Sequence, residues 1–98
     1  MTKDISLHPL AQRELNDSIR FYNSVSIDLA ADLLAQFESA SAFIRDNPLS
    51  TTIVLDDIRK KRLKRFPYNI IFAIREDSIR ILALAHHSRK PFYWVGRS

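Results

Sequence analysis

The chain has 98 residues, 46% of them hydrophobic and 27% charged, with a formal net charge of +4; it is too apolar for a disordered chain and too short for a second core, so it makes one domain. It has no cysteine and one glycine, which excludes a disulfide framework, a thiolate metal site and a glycine-rich phosphate loop. The mean charge hides a polarised chain: residues 1–57 carry 4 basic and 9 acidic side chains (−5), residues 58–98 carry 11 basic and 2 acidic (+9), which points to an anionic partner for the second half.

Residues 3–8 alternate, with Ile5 and Leu7 on one face and Asp4, Ser6 and His8 on the other, the period of a short strand. Pro9 suits the first turn of a helix, where a missing N–H costs nothing. Ala11, Leu15, Ile19 and Tyr22 then recur at helical spacing, predicting a helix over about 9–23. Ser24-Val25-Ser26 interrupts the pattern and supplies hydroxyl N-caps, with Asp28 in the next first turn. A second helix follows, its apolar stripe formed by Ala30, Leu33, Leu34, Phe37, Ser41 and Ile44. Asn47-Pro48 stops it, because a residue before proline is pushed out of the α region. Two such helices with a short connection read as an antiparallel hairpin.

After Pro48 the period shortens. Ile53-Val54-Leu55 is compatible with either strand or loop. Residues 58–63 mix β-branched and charged side chains, and residues 66–74 place Phe66, Tyr68, Ile70, Phe72 and Ile74 on one face. Glu76-Asp77-Ser78 is a turn. Ile79–His86 is apolar on both faces, Ile79, Ile81, Ala83 and Ala85 against Leu82 and Leu84, as for a central strand. The reading is a single α+β domain over 1–98, ordered β-α-α-β-β-β. A helical hairpin packs on one face of a small, mainly antiparallel sheet. No stretch approaches the roughly 18 apolar residues of a membrane span. No signal-type apolar run follows the first charges either. A cytoplasmic location without membrane contact is therefore expected.

Two basic clusters carry the chemistry. Arg59, Lys60, Lys61, Arg62, Lys64 and Arg65 crowd seven positions; such a run is either a solvated, aggregation-resistant edge or a surface for an anionic partner. On a strand, Arg59, Lys61 and Arg65 would oppose Lys60, Arg62 and Lys64. The second cluster is the tail after the apolar strand, where Arg89, Lys90 and Arg97 alternate with Phe92, Tyr93 and Trp94. Cations beside aromatic rings suit phosphates and bases; the plainer role is a tail docked through Phe92 and Trp94 with its arginines exposed. His86 and His87 are adjacent and point apart, so no metal site is expected, nor any other cofactor. Glu14, on the first helix, has no partner visible from sequence.

Taken together, these segments resemble the RelE/ParE superfamily of type II toxin–antitoxin toxins, over nearly the whole length. The resemblance rests on Pro9 opening a helix, Ala30-Ala31-Asp32, Asn47-Pro48, Arg59-Lys60-Lys61-Arg62-Leu63, Phe66-Pro67-Tyr68-Asn69-Ile70, Ala83-Leu84-Ala85-His86, Arg89-Lys90-Pro91 and Tyr93-Trp94. The last segments look most like the ParE-type, plasmid-stabilisation branch. The resemblance implies a growth-inhibiting toxin neutralised by a cognate antitoxin. ParE-type members act on DNA gyrase and are not hydrolases. RelE-type members are ribonucleases that cut mRNA on the ribosome; in that case the matching catalytic positions are Lys61, Arg65, Arg89 and Tyr93, with Lys64 beside them. A non-toxic binding or regulatory module is the third expectation. For any of the three, the anion- and partner-binding residues are Arg59, Lys60, Lys61, Arg62, Lys64, Arg65, Arg89, Lys90 and Arg97.

Overall fold

A computed structural model describes residues 4–98 as β1 (Asp4–Leu7), α1 (Pro9–Val25), α2 (Ile27–Asp46), a short 3-10 turn (Pro48–Ser50), β2 (Thr52–Leu55), β3 (Ile58–Arg62), β4 (Tyr68–Ile74) and β5 (Ser78–His86). Lys3, expected to begin β1, lies outside the described residues. The sheet order is β1-β5-β4-β3-β2, with β1 parallel to β5 and every other pair antiparallel. The expected α+β architecture is therefore present. Residues 53–55, open between strand and loop, form the edge strand β2.

Local chemistry sets the helix ends. His8, expected on the outer face of β1, leaves the strand and caps α1: its Nδ1 accepts the Leu10 N–H at 3.0 Å, with Pro9 next as first helical residue. α1 runs two residues further than its apolar stripe, because Ser26 alone makes the connection. Its N–H donates to the Tyr22 carbonyl at 2.8 Å, closing α1, and its Oγ accepts the Leu29 N–H at 3.4 Å, opening α2. The buried residues of α2 are Ala30, Leu33, Phe37, Ala40 and Ile44. Ala40 thus takes the core place expected of Ser41, and Leu34 remains 40% exposed.

The sheet has two unlike faces. Against the helices, Ala11, Leu15, Leu33, Phe37 and Ile44 pack on Tyr68, Ile70, Phe72, Ile79, Ile81 and Leu84. The opposite face, with Ile71, Ala73, Leu82, Ala83 and Ala85, is covered by the tail through Trp94, which is 4% exposed. Strict alternation along β5 fails. Ile71 pairs with Ala83 but Phe72 with Ile81, so Leu82 is an extra residue, a β-bulge. Beyond it the faces exchange. Ile79, Ile81 and Leu84 look to the helices, while Ala83 and Ala85 look to the tail.

The bulge lies where β1 ends. The last ladder bond runs from the His8 N–H to the Ile81 carbonyl at 2.8 Å. From residue 82 the outer edge of β5 has no neighbouring strand, and side chains take its place. Glu14 Oε1 accepts the Leu84 N–H at 3.1 Å, and Arg97 Nη1 donates to the Leu82 carbonyl at 3.0 Å. Arg97 also forms a two-pronged ion pair with Glu14, at 3.0 and 3.2 Å, with only 13% and 15% of the two side chains exposed. The Tyr93 hydroxyl donates to Glu14 Oε2 at 2.8 Å. Gly96, at φ 96, gives the left-handed backbone step just before Arg97. The expectation that Arg97 is an exposed anion-binding residue is corrected: its guanidinium is held by a carboxylate from α1. Burial, then the hydrogen bond to Glu14 and its charge, push the Tyr93 phenol well above its ordinary 10.0, against the opposing pull of Arg89 and Arg97.

Three outcomes follow for this edge. Glu14→Ala strands a shielded guanidinium and an unpaired backbone N–H, and should cost about 2–4 kcal/mol; at this size that lowers Tm by roughly 10–25 °C in a calorimetric scan. Glu14→Ala and Arg97→Met together should cost less than the sum of the two single changes; strict additivity would show that the ion pair is not coupled. Tyr93 is stabilising while neutral. Its folded pKa is raised, so that contribution is complete below pH 10 and fades as pH climbs through the folded value. Alkaline unfolding of Tyr93→Phe should be correspondingly less steep than that of the parent.

Candidate functional site

The basic run of β3 is divided by the pleat. Arg59 and Lys61 turn toward the helices and Lys60 and Arg62 toward the tail, as alternation predicts. Arg59 is structural: its Nη1 donates to the carbonyls of Thr51 at 2.7 Å and Leu49 at 3.4 Å, fixing the approach to β2. The Lys61 ammonium stands 4.5 Å above the Phe43 ring of α2, a cation–π contact. With Gln36, Ser39, Arg62 and Lys64 these two line a cleft between α2 and β3. The alternation expected to carry Lys64 and Arg65 onward stops, because β3 ends at Arg62. Leu63 enters the core, and Arg65 adopts φ 68 and pairs with Asp32 of α2 at 3.3 Å. Both partners are largely exposed, so this bond contributes little stability.

The tail gathers the second group. The Arg89 guanidinium lies 3.9 Å from the centre of the Tyr93 ring, and that of Arg97 lies 5.1 Å from it. Trp94 is in the core and Phe92 is half exposed, 5.7 Å from the Trp94 ring. His86 Nδ1 accepts the Ser88 N–H at 3.0 Å, which turns the chain off β5. Partial desolvation, then the charges of Arg62, His86 and Lys60, hold the His87 imidazole below its ordinary 6.5.

The four expected catalytic side chains are therefore not brought together. Lys61 and Arg65 belong with α2, Arg89 and Tyr93 with the outer side of β5. Strands β4 and β5 lie between β3 and that edge, a separation of roughly 10 Å at the usual strand spacing. The sequence reading missed Glu14, whose partner Arg97 is 83 positions away; no local period connects two such residues. What the structure offers is two cationic clefts on opposite faces, at the α2–β3 boundary and under the tail.

Comparison with known proteins bears on what carries this arrangement. No curated protein sequence matches the chain. Among solved structures, the chromosomal ParDE toxin–antitoxin system from P. aeruginosa is similar, with a TM-score of 0.71 and 17% sequence identity, covering 87% of this chain and 96% of that one; this likeness is one of fold. The family model for the ParE toxin of the type II toxin–antitoxin system parDE matches residues 5–91, from β1 into the tail. The helical hairpin, the five-stranded sheet and the tail that closes its edge thus belong to a member of the ParE toxin family of type II toxin–antitoxin systems, a toxin whose partner is a cognate antitoxin.

Proposed function

We propose that the free toxin acts on DNA gyrase as a binding inhibitor and not as a nuclease. The observation that carries this reading is the state of Tyr93. Its hydroxyl is donated to the Glu14 carboxylate at 2.8 Å, and its pKa is raised. A general base must accept a proton near the working pH, and this phenol does so only in strong alkali. The separate engagements of Lys61 with Phe43, of Arg65 with Asp32 and of Arg89 with Tyr93 support the same reading, because these side chains do not converge on one point. Membership of the ParE family, together with the resemblance to a branch whose members act on gyrase, favours gyrase as the target.

The antitoxin is assigned to the α2–β3 cleft. Lys61, Arg62 and Lys64 give that cleft its charge, and the Phe43 ring, 38% exposed, gives it an apolar floor. An acidic amphipathic segment would satisfy both. The excess of positive charge in the second half of the chain is then shared between antitoxin and target.

Expressed without antitoxin, the protein should cause filamentation and a DNA-damage response while messages stay intact, and the purified chain should inhibit gyrase supercoiling. Cleaved messages with unimpaired supercoiling would overturn the proposal. Tyr93→Phe should keep toxicity within about threefold of the parent in a growth assay; a complete loss with the fold intact would restore the nuclease reading. Lys61→Glu with Lys64→Glu should weaken antitoxin binding at least tenfold at low salt, measured by calorimetry, and unchanged affinity would remove the antitoxin from this cleft.

A further inference from the structure

The cleft beneath the tail is distinct from the α2–β3 cleft given to the antitoxin. It is a cavity of about 290 Å³ on the helix-free face, roofed by residues 89–94 and floored by Val54, Ile71 and Ala85. That volume lies near the lower limit for small-molecule sites and suits a ligand of one ring system and one charged group. Its charge is one-sided. Lys60, Arg89 and Lys90 line it, His86 and His87 stand at its margin, and among the described residues no carboxylate does. No described ion pair engages Lys60, Arg89 or Lys90. Among the described residues five arginines elsewhere pair with Asp17, Asp46, Asp32, Asp57 and Glu14, whereas the cations of this cleft have no carboxylate beside them.

Its aromatic wall is equally unusual. Phe92 holds a left-handed backbone at φ 61 and keeps half its ring exposed, beside the buried Trp94 at 5.7 Å. A bulky residue rarely adopts that conformation, and such outliers concentrate where a ligand is handled. The conformation turns the Phe92 ring away from the core that Trp94 occupies and leaves it at the cavity wall. A flat ring at the wall and uncompensated cations around it call for a ligand that is planar at one end and anionic at the other.

We propose that this cleft binds a nucleoside phosphate, with the base against Phe92 and the phosphate between Lys60, Arg89 and Lys90. The same chemistry is offered by a free mononucleotide and by the phosphorylated end of a nucleic acid strand. The inference is independent of the gyrase reading, because binding is measured on the toxin alone.

Trp94 is the one tryptophan of the chain and lines the cleft, so its fluorescence reports occupancy. The purified chain is titrated at low salt with adenosine 5′-monophosphate, adenosine, inorganic phosphate and a 5′-phosphorylated deoxyadenylate pentamer. The monophosphate or the pentamer should give a saturable change, at least tenfold tighter than inorganic phosphate, and adenosine none. Equal affinity for monophosphate and pentamer assigns the free nucleotide; a pentamer at least tenfold tighter assigns the strand end. Lys60→Glu with Lys90→Glu should weaken binding at least tenfold, and Phe92→Ala should reduce the monophosphate to the affinity of inorganic phosphate. Arg20→Glu, on the far side of α1, should change nothing. Calorimetry repeats the titrations without relying on Trp94, and thermal scans confirm that each variant is folded. No saturable binding by either method, or binding indifferent to Lys60 and Lys90, overturns the proposal, as does inorganic phosphate binding as tightly as the monophosphate.

Discussion

A strand edge that runs out of partner halfway is the constraint around which this protein is arranged. β1 covers β5 only as far as Ile81, and the chain must then leave the sheet to begin α1. Backbone groups beyond that point face solvent or a competing strand unless something bonds them. Glu14 is placed one and a half turns into α1, where its carboxylate reaches the Leu84 N–H. That carboxylate needs compensation of its own, which Arg97 and Tyr93 supply while Arg97 takes the Leu82 carbonyl. Three side chains thus replace a length of strand. The path of the tail, the seat of Trp94 and the roof of the cleft beneath it all depend on that substitution.

The sequence was most legible where a period governs. The 3.6-residue stripe placed Leu15 and Leu33 in the core, and the two-residue period placed Ile5, Leu7, Tyr68, Ile70 and Phe72 there. It failed where a single residue breaks the period. Leu82 is apolar like its neighbours, so nothing in its identity announces a bulge, yet it moves Leu84 to the helix face and Ala83 to the tail face. Arg65 likewise continues a basic run in the sequence but leaves the strand in space at φ 68. For the candidate site, the charges were legible and their partners were not. Arg59, Arg65 and Arg97 read as interchangeable cations; one holds a loop, one meets Asp32 at the surface, and one is shielded against Glu14. Side-chain pairing over tens of residues is decided by the fold, and only afterwards by composition.

The polarised charge also acquires a geometry. The acidic half is the helical hairpin, and the basic half is the sheet and tail, so opposite signs meet at the seam between α2 and the β3–β4 turn, where Asp32 faces Arg65. On the helix-free face, no carboxylate among the described residues lines the cleft that Lys60, Arg89 and Lys90 share. Long-range steering of an anionic partner toward that face therefore needs no special device; it follows from which layer each half of the chain occupies.

Arg97 and its carboxylate partner, Glu14 of the first helix, lie 83 positions apart. The edge of β5 is therefore completed late in folding, since contacts so distant in sequence close only after the local ones have formed. A growing chain emerging from the ribosome can build the helical hairpin and then the β4–β5 pair, but it carries an unfinished strand edge until Arg97 has emerged. Only a chain extended through Arg97 has the closed edge. For a protein made beside its own inhibitor, that timing separates manufacture from competence.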